Sequence, residues 1–268
     1  QLALAMHGVL AVSLLASVPA MAQEAPATDA GGQKTTTLDS VKVTARKREE
    51  TLQEVPVAVT AFTAANLDRL NVRDLSDLDA QVPNLTIYAA RGSNSTLTAY
   101  IRGVGQSDPL WGVDPGVGIY MDDVYIARPQ GALLDVFDVD RIEVLRGPQG
   151  TLYGKNTIGG AIKYISKPLR TELNGFGSVT LGNYGQRDLK AAVGGGFGGS
   201  EYLRGRISVA DLHRDGFGEN IITGGQVSDK KIRAVRANLG AYVTDNVDLQ
   251  FAFDHVDGPT ADTVLAGA

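Results

Sequence analysis

Hydrophobic and polar positions follow three different patterns along the chain, and the first lies at its beginning. Residues 9–18 (VLAVSLLASV) are mostly apolar, and no Lys, Arg, Asp or Glu occurs before position 23. A run of this length is typical of the core of a secretory signal peptide and is too short to cross a membrane as a helix. Small residues at Ala20 and Ala22 predict cleavage before Gln23 and a signal peptide over residues 1–22. Because the chain starts at Gln1 rather than at Met and no basic region precedes the run, we expect the sequence to begin inside a longer one.

The second pattern mixes helix and strand periodicity and covers residues 55–168. Residues 57–62 (VAVTAF) predict a buried strand, and Thr63 is placed to cap a helix that carries Leu67 and Leu70. A second helix, with Leu75 and Leu78 on one side, is predicted after a cap at Asp74. Five further strands are predicted between turn-forming clusters, at residues 85–88, 97–102, 116–121, 141–145 and 161–165. The region is therefore predicted to be a compact α+β domain.

The third pattern is strict alternation, which begins after residue 168 and continues to the end of the chain. It occurs at residues 175–181, 201–210, 233–243 and 247–253. Alternation of apolar and polar residues over such lengths predicts antiparallel strands of a transmembrane β-barrel, and a soluble β-sandwich would show the same pattern. The smallest membrane barrels need about eight strands, so residues 169–268 are expected to form only the first strands of an incomplete barrel.

Residues 23–54 connect the signal peptide to the α+β domain and are predicted to be a disordered leader because they contain few large apolar residues. A β-prone patch interrupts the leader at residues 38–45 (LDSVKVTA). Val41 and Val43 favour the extended state, while Asp39 and Lys42 keep the patch soluble. Such a segment is either an ordinary linker or a strand that pairs with the sheet edge of a partner protein.

Composition excludes several classes of function. The chain has no cysteine, so disulfides, thiolate catalysis and thiolate metal sites are excluded. A net charge of -5 argues against general binding of nucleic acid, which requires clustered Lys and Arg. The histidines are scattered at His7, His213 and His255, so no metal site is predicted.

Two motifs resemble enzyme sites without meeting their requirements. Residues 150–156 (GTLYGKN) have three residues between the glycines and Asn156 after the lysine, whereas a phosphate-binding loop needs four residues and then Ser or Thr. Asp122 and Asp123 are adjacent, so on a strand they would point to opposite faces, and a β-turn is the better interpretation. We therefore expect no catalytic residue, no cofactor and no enzymatic activity.

Three stretches carry a resemblance to a known family: residues 101–105 (IRGVG), residues 113–126 (VDPGVGIYMDDVYI) and residues 138–168 (DVDRIEVLRGPQGTLYGKNTIGGAIKYISKP). Together they resemble the plug domain of TonB-dependent outer-membrane receptors, and the similarity extends over about residues 38–257. The resemblance implies a barrel of 22 strands in the Gram-negative outer membrane, surrounded by lipid, with the plug in its lumen and the leader in the periplasm. It also implies strand addition to the TonB protein by a TonB box, at Asp39, Ser40, Val41, Lys42, Val43, Thr44 and Ala45.

The resemblance further implies a latch between plug and barrel at Arg102, Glu143 and Arg146, with barrel partners expected beyond residue 268. Simple surface arginines are the alternative.

The ligand implied by the resemblance is a ferric siderophore or another iron complex, with an oligosaccharide, cobalamin or a plant-derived aromatic compound as alternatives. Asn94, Gln106, Asp108 and Trp111 lie on polar loops suited to ligand contact, although Trp111 would equally suit packing within the plug. A different class, a secreted all-β binding or adhesion module, would share the alternation but would not need the leader patch or the arginine motifs.

Overall fold

The structure is a computed structural model that describes residues 41–89, 96–108, 112–129, 132, 135–200, 202–219, 226–244, 246–258 and 263–267. The predicted signal peptide, the first part of the leader, and Asp39 and Ser40 lie outside the described residues.

The described strands fall into three consecutive groups. The first is a short hairpin of β1 (Lys42–Val43) and β2 (Glu50–Thr51). The second comprises β3 (Val59–Thr63), β4 (Leu85–Ala89), β5 (Leu97–Ile101), β6 (Val104–Gly105), β7 (Val117–Met121), β8 (Val124–Tyr125), β9 (Val139–Arg146) and β10 (Gly160–Ser166). The third comprises β11 (Asn174–Leu181), β12 (Arg187–Gly196), β13 (Leu203–Arg214), β14 (Gly218–Glu219), β15 (Gln226–Val227), β16 (Lys230–Thr244), β17 (Val247–Asp257) and β18 (Thr263–Gly267).

Helices are short. They are α1 (Ala64–Arg69), α2 (Gly150–Tyr153) and two 3₁₀ turns at Leu75–Leu78 and Phe197–Gly199. In the part of the chain that the structure describes, no helix has the length and apolar character needed to cross a membrane.

The α+β region is built on a five-stranded sheet in the order β3-β9-β10-β7-β8, in which only β10 and β7 are parallel. One face of this sheet carries the main core, formed with α1, the 3₁₀ turn Leu75–Leu78 and the small β4-β5-β6 sheet. The predicted caps are confirmed, because Thr63 accepts a hydrogen bond from the backbone of Asn66 and Asp74 accepts one from that of Ser76. The predicted second helix is a single 3₁₀ turn.

The opposite face of the same sheet is covered by the chain that precedes β3. Val43 and Ala45 are buried there against Leu145 of β9 and Ala161 of β10. Residues 41–54 therefore differ from the sequence prediction of a disordered leader. The prediction was based on the few large apolar residues of the leader, whereas the β9–β10 pair supplies an apolar surface on which Val43 and Ala45 pack.

The third group forms a six-stranded antiparallel sheet in the order β11-β12-β13-β16-β17-β18, beside the separate β14–β15 hairpin. It begins at Asn174, shortly after the last strand of the first sheet ends at Ser166. Strand β12 was not predicted, since its three consecutive glycines at residues 194–196 interrupt the alternation of apolar side chains.

In this sheet the apolar side chains are exposed and the polar side chains are buried, which is the reverse of the arrangement in a soluble protein. Leu239, Phe251 and Phe253 are 42%, 53% and 46% exposed, whereas Arg236 and Asp254, on the other face, are buried. A soluble sandwich would bury the apolar set. An apolar outer face and a polar inner face are the arrangement of a membrane barrel wall, which favours that interpretation over the sandwich.

Candidate functional site

A polar cluster on the face of the five-stranded sheet that the leader covers binds a single threonine. The backbone N–H of Thr44 donates to Oε1 of Glu143 over 2.7 Å, and Nζ of Lys163 donates to the Thr44 carbonyl over 3.0 Å. The Thr44 hydroxyl accepts from Lys163 at 2.9 Å and from Arg141 at 3.2 Å. Glu143 and Lys163 are almost completely buried, so the backbone N–H and the carbonyl of Thr44 both bind charged groups shielded from water.

Neighbouring charges compensate this cluster. Arg141 donates to Glu143 over 2.8 Å, and Lys163 forms an ion pair with Asp123 at 3.1 Å. Tyr153 donates from its hydroxyl to the carbonyl of Ala45 over 2.8 Å. Burial, and then the nearby carboxylates of Asp123 and Glu143, raise the pKa of Tyr153, so the hydroxyl stays protonated and remains a donor. The leader is thus fixed by hydrogen bonds at two consecutive residues.

Local sequence explains how these side chains meet. Glu143 and Lys163 are direct partners in the β9–β10 register, and residues paired in this way lie on the same face of a sheet. Between the two strands, Gly147 and Gly154 adopt positive φ angles of 105° and 79°, which permits the turns on either side of α2. Helix α2 ends at Tyr153 and brings that ring within 5.6 Å of Lys163.

The predicted TonB-box residues that the structure describes thus all lie at this site. Val43, Thr44 and Ala45 face the plug, Val41 is partly buried, and Lys42 is exposed and pairs with Glu49 at 3.3 Å.

The three residues of the predicted latch lie in different environments. Glu143 is engaged by Thr44 and Arg141, and its Oε2 has no hydrogen-bond partner among the described residues. Arg102 has a positive φ of 54° and donates from its backbone to Asn84 over 2.8 Å. Within the described ranges neither Arg102 nor Arg146 forms an ion pair, and Nε of Arg146 is buried without a partner. A barrel partner for these arginines remains a prediction.

The contacts between plug and strand wall that the structure does describe involve residues that the sequence analysis did not select. Asp138 accepts two hydrogen bonds from Arg206 of β13, one of them 2.7 Å long, and a third from Ser208. Asp138 and Arg206 are both buried. Asp135 pairs with Lys230 of β16. The sequence did contain a signal for this contact. Arg206 and Ser208 fall on the polar face of a predicted strand, and buried polar side chains need polar partners.

An aromatic residue completes this contact. Phe137 is buried in a small apolar cluster with four residues of β13 and β16: Ala210, Leu212, Ile232 and Ala234. The guanidinium of Arg236 lies 5.0 Å from its ring centre and 5.2 Å from that of Tyr164. Tyr164 in turn donates to the carbonyl of Phe137 over 2.8 Å. The wall is therefore linked to β10 through residues 135–138.

The predicted ligand contacts are described only in part. Asn94 and Trp111 lie outside the described residues. Gln106 donates to the carbonyl of Asp108 over 3.3 Å and borders a cavity of 20 Å³, which has room for about one water molecule. A ligand site formed by the four residues therefore stays a prediction.

The enzyme-like motifs have structural roles. Asp122 and Asp123 form the turn between β7 and β8 with φ angles of 45° and 66°, which confirms the predicted turn. The Asp122 carboxylate accepts hydrogen bonds from the backbone and the hydroxyl of Ser166. Among the described residues, no group of three His, Asp or Glu side chains is placed to hold a metal ion.

Comparison with known proteins gives one consistent family. Residues 51–161 match the TonB-dependent Receptor Plug Domain. The vitamin B12 transporter BtuB of Vibrio vulnificus is 26% identical over 151 residues, which cover 56% of this chain and 24% of the relative. An iron-regulated outer membrane virulence protein of Vibrio cholerae is 29% identical over 177 residues, covering 61% of this chain and 24% of the relative. The chain thus spans about a quarter of the length of either relative.

Solved structures agree on the fold. The ferric yersiniabactin uptake receptor FyuA from Yersinia pestis superposes with a TM-score of 0.67 at 25% identity, over 75% of this chain and 31% of that one. The ferripyoverdine receptor of the outer membrane of Pseudomonas aeruginosa superposes with a TM-score of 0.66 at 22% identity, over 81% and 27%. These relatives are named as transporters and receptors rather than enzymes. Residues 51–161 therefore match the plug domain of TonB-dependent receptors, a family of the Gram-negative outer membrane, and the antiparallel strands that follow resemble the start of that family's barrel wall.

Proposed function

We propose that this chain is the plug-bearing part of a receptor that takes up a scarce ligand across the outer membrane, and that the ligand is a ferric siderophore or another iron complex. One observation carries the mechanism. A strand-forming segment of the leader lies on the plug sheet and is attached to it mainly through Thr44 and Ala45. A partner that binds this segment and pulls would act directly on the plug.

Residues 39–45 are the TonB box in this proposal. Only Lys42 and Val43 pair with another strand in the structure, so the docked segment satisfies few of its strand hydrogen bonds. Strand addition to the sheet edge of a TonB protein would satisfy more of them and would compete with the docked state. The docked contacts then determine how easily the partner gains access.

Arg102 and Arg146 are proposed as the plug side of the latch. The Arg102 side chain reaches the chain next to Arg146, since its Nη1 lies 3.3 Å from the position that a Cβ on Gly147 would occupy. A buried guanidinium nitrogen without a partner on Arg146 supports an acidic partner on wall strands other than β11–β18. Glu143 would instead hold the leader, because its bound oxygen is occupied by Thr44 and Arg141.

An iron complex is the proposed ligand because the similar proteins include ferric-siderophore receptors and an iron-regulated protein. Cobalamin is the second candidate, since the B12 transporter of Vibrio vulnificus is among the relatives. Asn94, Gln106, Asp108 and Trp111 are proposed as plug-side contacts with either ligand.

Uptake by a deletion strain carrying the full-length gene tests this function. Cells are grown under iron limitation, and uptake of ⁵⁵Fe in ferric catecholate, hydroxamate and yersiniabactin-type complexes is compared with that of radiolabelled cyanocobalamin. We expect saturable uptake of one iron complex, which is lost when TonB is deleted. Uptake of cyanocobalamin alone would replace iron with the second candidate. Secretion of the full-length protein in soluble form, without heat-modifiable migration from the outer membrane, would exclude a transporter and favour the adhesion module.

A further inference from the structure

The central β9–β10 pair of the plug is attached on its two faces to different parts of the chain. Lys163 and Tyr164 are consecutive residues of β10, and consecutive strand residues point to opposite faces. Lys163 binds Thr44 of the leader, whereas Tyr164 binds the backbone of Phe137, which lies in the cluster with the barrel wall. Force applied to the leader is therefore transmitted to the barrel wall across a single sheet.

The two attachments differ in kind. The leader side consists of hydrogen bonds at Thr44 and Ala45 and of apolar contacts made by Val43 and Ala45, with no ion pair from the leader to the sheet among the described residues. The wall side, at residues 135–138, has a buried bidentate ion pair from Asp138 to Arg206, a second ion pair from Asp135 to Lys230, and the buried ring of Phe137. Lys190 of β12 also donates to the carbonyl of Val136 over 2.7 Å. Four consecutive plug residues thus contact three different wall strands.

We infer that residues 135–138 are a wall anchor that keeps the β9–β10 part of the plug in the barrel while the leader is pulled away. The inference rests on the proposed function, because it assumes that a partner pulls on the leader. The bidentate geometry matters, since two parallel N–H···O bonds resist both sliding and rotation of the loop along β13. The plug would then release its N-terminal part first and would not leave the barrel as one body.

Single-molecule pulling on the full-length receptor in an outer-membrane lipid bilayer tests the anchor without any ligand. A handle is attached to the mature N-terminus, and force is recorded against extension. We expect an early event for release of the leader and a later, separate event after the chain up to Asp135 has been extended, at no more than about 3.6 Å per residue. Extraction of the whole plug in a single event would overturn the inference.

Variants assign the later event to the anchor. Asp138→Asn and Arg206→Lys each remove the bidentate pair but keep a polar side chain, and both are expected to lower the force of the later event and leave the early event unchanged. Asp140→Asn is the matched control, because Asp140 lies two residues away and pairs with Arg141 of the plug at 2.7 Å. An unchanged later event in both Asp138→Asn and Arg206→Lys, or an equal loss in Asp140→Asn, would refute the assignment.

The failure of this inference can be distinguished from that of the proposed function. Pulling requires only a receptor assembled in a bilayer, so it gives a result whichever ligand is transported. If Asp138→Asn does not assemble, Arg206→Lys gives the same information from the wall side. If the wild-type receptor shows the later event but takes up none of the tested ligands, the result counts against the transport proposal alone.

Discussion

Glu143 and Lys163 stand opposite each other on β9 and β10 and bind the two backbone polar groups of one residue, the N–H and the carbonyl of Thr44. An anion therefore meets the donor and a cation meets the acceptor, and both charged side chains are buried. This relationship makes the docked leader sensitive to single substitutions on either strand.

Glu143→Gln should loosen the leader, because a neutral amide accepts a weaker hydrogen bond and leaves Arg141 without its buried carboxylate. A hydrogen bond to a charged group contributes about 1.5–3 kcal/mol, which corresponds to roughly a ten- to hundred-fold change in the fraction of undocked leader. The measurement is the maleimide labelling rate of an Ala45→Cys probe, since Ala45 is buried and this chain has no cysteine of its own. Glu54→Gln, at an exposed glutamate that accepts from Thr51, is the control. Equal rates in the two variants would contradict the role of Glu143.

Thr44 itself allows a finer test. Thr44→Val keeps the shape of the side chain and removes the hydroxyl that Lys163 and Arg141 bind, whereas Thr44→Ser keeps the hydroxyl. Leaving buried donors without this acceptor should cost about 1–3 kcal/mol. We expect rapid probe labelling with Val and slow, wild-type labelling with Ser. Fast labelling with both would mean that the methyl group, rather than the polar cluster, holds the segment.

Coupling to the TonB protein should depend on the backbone of the same segment. Val43→Pro removes a backbone donor from the middle of the proposed box, so strand addition should be lost. The measurement is capture of the full-length receptor by immobilised periplasmic TonB domain, together with uptake of the transported ligand. Lys42→Ala, at an exposed neighbouring position, should retain both activities. Transport that survived Val43→Pro would show that residues 39–45 are not the box.

Features determined by local sequence were predictable, and those determined by distant contacts were not. Thr63 and Asp74 cap the segments that follow them because capping depends on the next two or three residues. Docking of the leader depends on Glu143, which is 99 positions from Thr44, and the wall anchor joins residues 68 positions apart. No local pattern contains such pairings. The alternation of β13 and β16 did predict which side chains share a face, but only the structure shows which plug residues that face meets.

Asp77 gives a prediction about pH. Burial raises the pKa of Asp77, but hydrogen bonds from the side chain and backbone of Arg73 outweigh burial, and the net pKa is lowered. A lowered folded-state pKa adds stability above the unfolded-state value, and this stability is lost as pH falls through the folded-state pKa. Because Arg73 is exposed and Asp77 is partly exposed to solvent, the contribution at pH 7 should be only about 0.2–1 kcal/mol.

Asp77→Asn should therefore destabilise the plug slightly at pH 7 and should match wild type once the pH lies below the folded-state pKa of Asp77. Urea unfolding of the plug within the purified full-length receptor, followed over a descending pH series, measures the difference. Asp68→Asn, at an exposed carboxylate of α1, controls for the loss of one negative charge. A destabilisation that persisted at the acidic end of the series would show that the effect is not the ionised pair with Arg73.

The last prediction concerns which face of the strand wall contacts lipid. Val235 of β16 is 37% exposed on the apolar face, and Val124 of β8 is similarly exposed at 43%. Arginine on a lipid-facing strand costs about 2–4 kcal/mol at the bilayer midplane and about 0–1 kcal/mol near the interfaces. Val235→Arg should therefore reduce the heat-modifiable, membrane-assembled receptor, whereas Val124→Arg should leave it unchanged because Val124 belongs to the plug sheet and not to the strand wall. The same yield for both variants would mean that the apolar face of β16 does not contact lipid, and the inverted alternation of this sheet would then need another explanation.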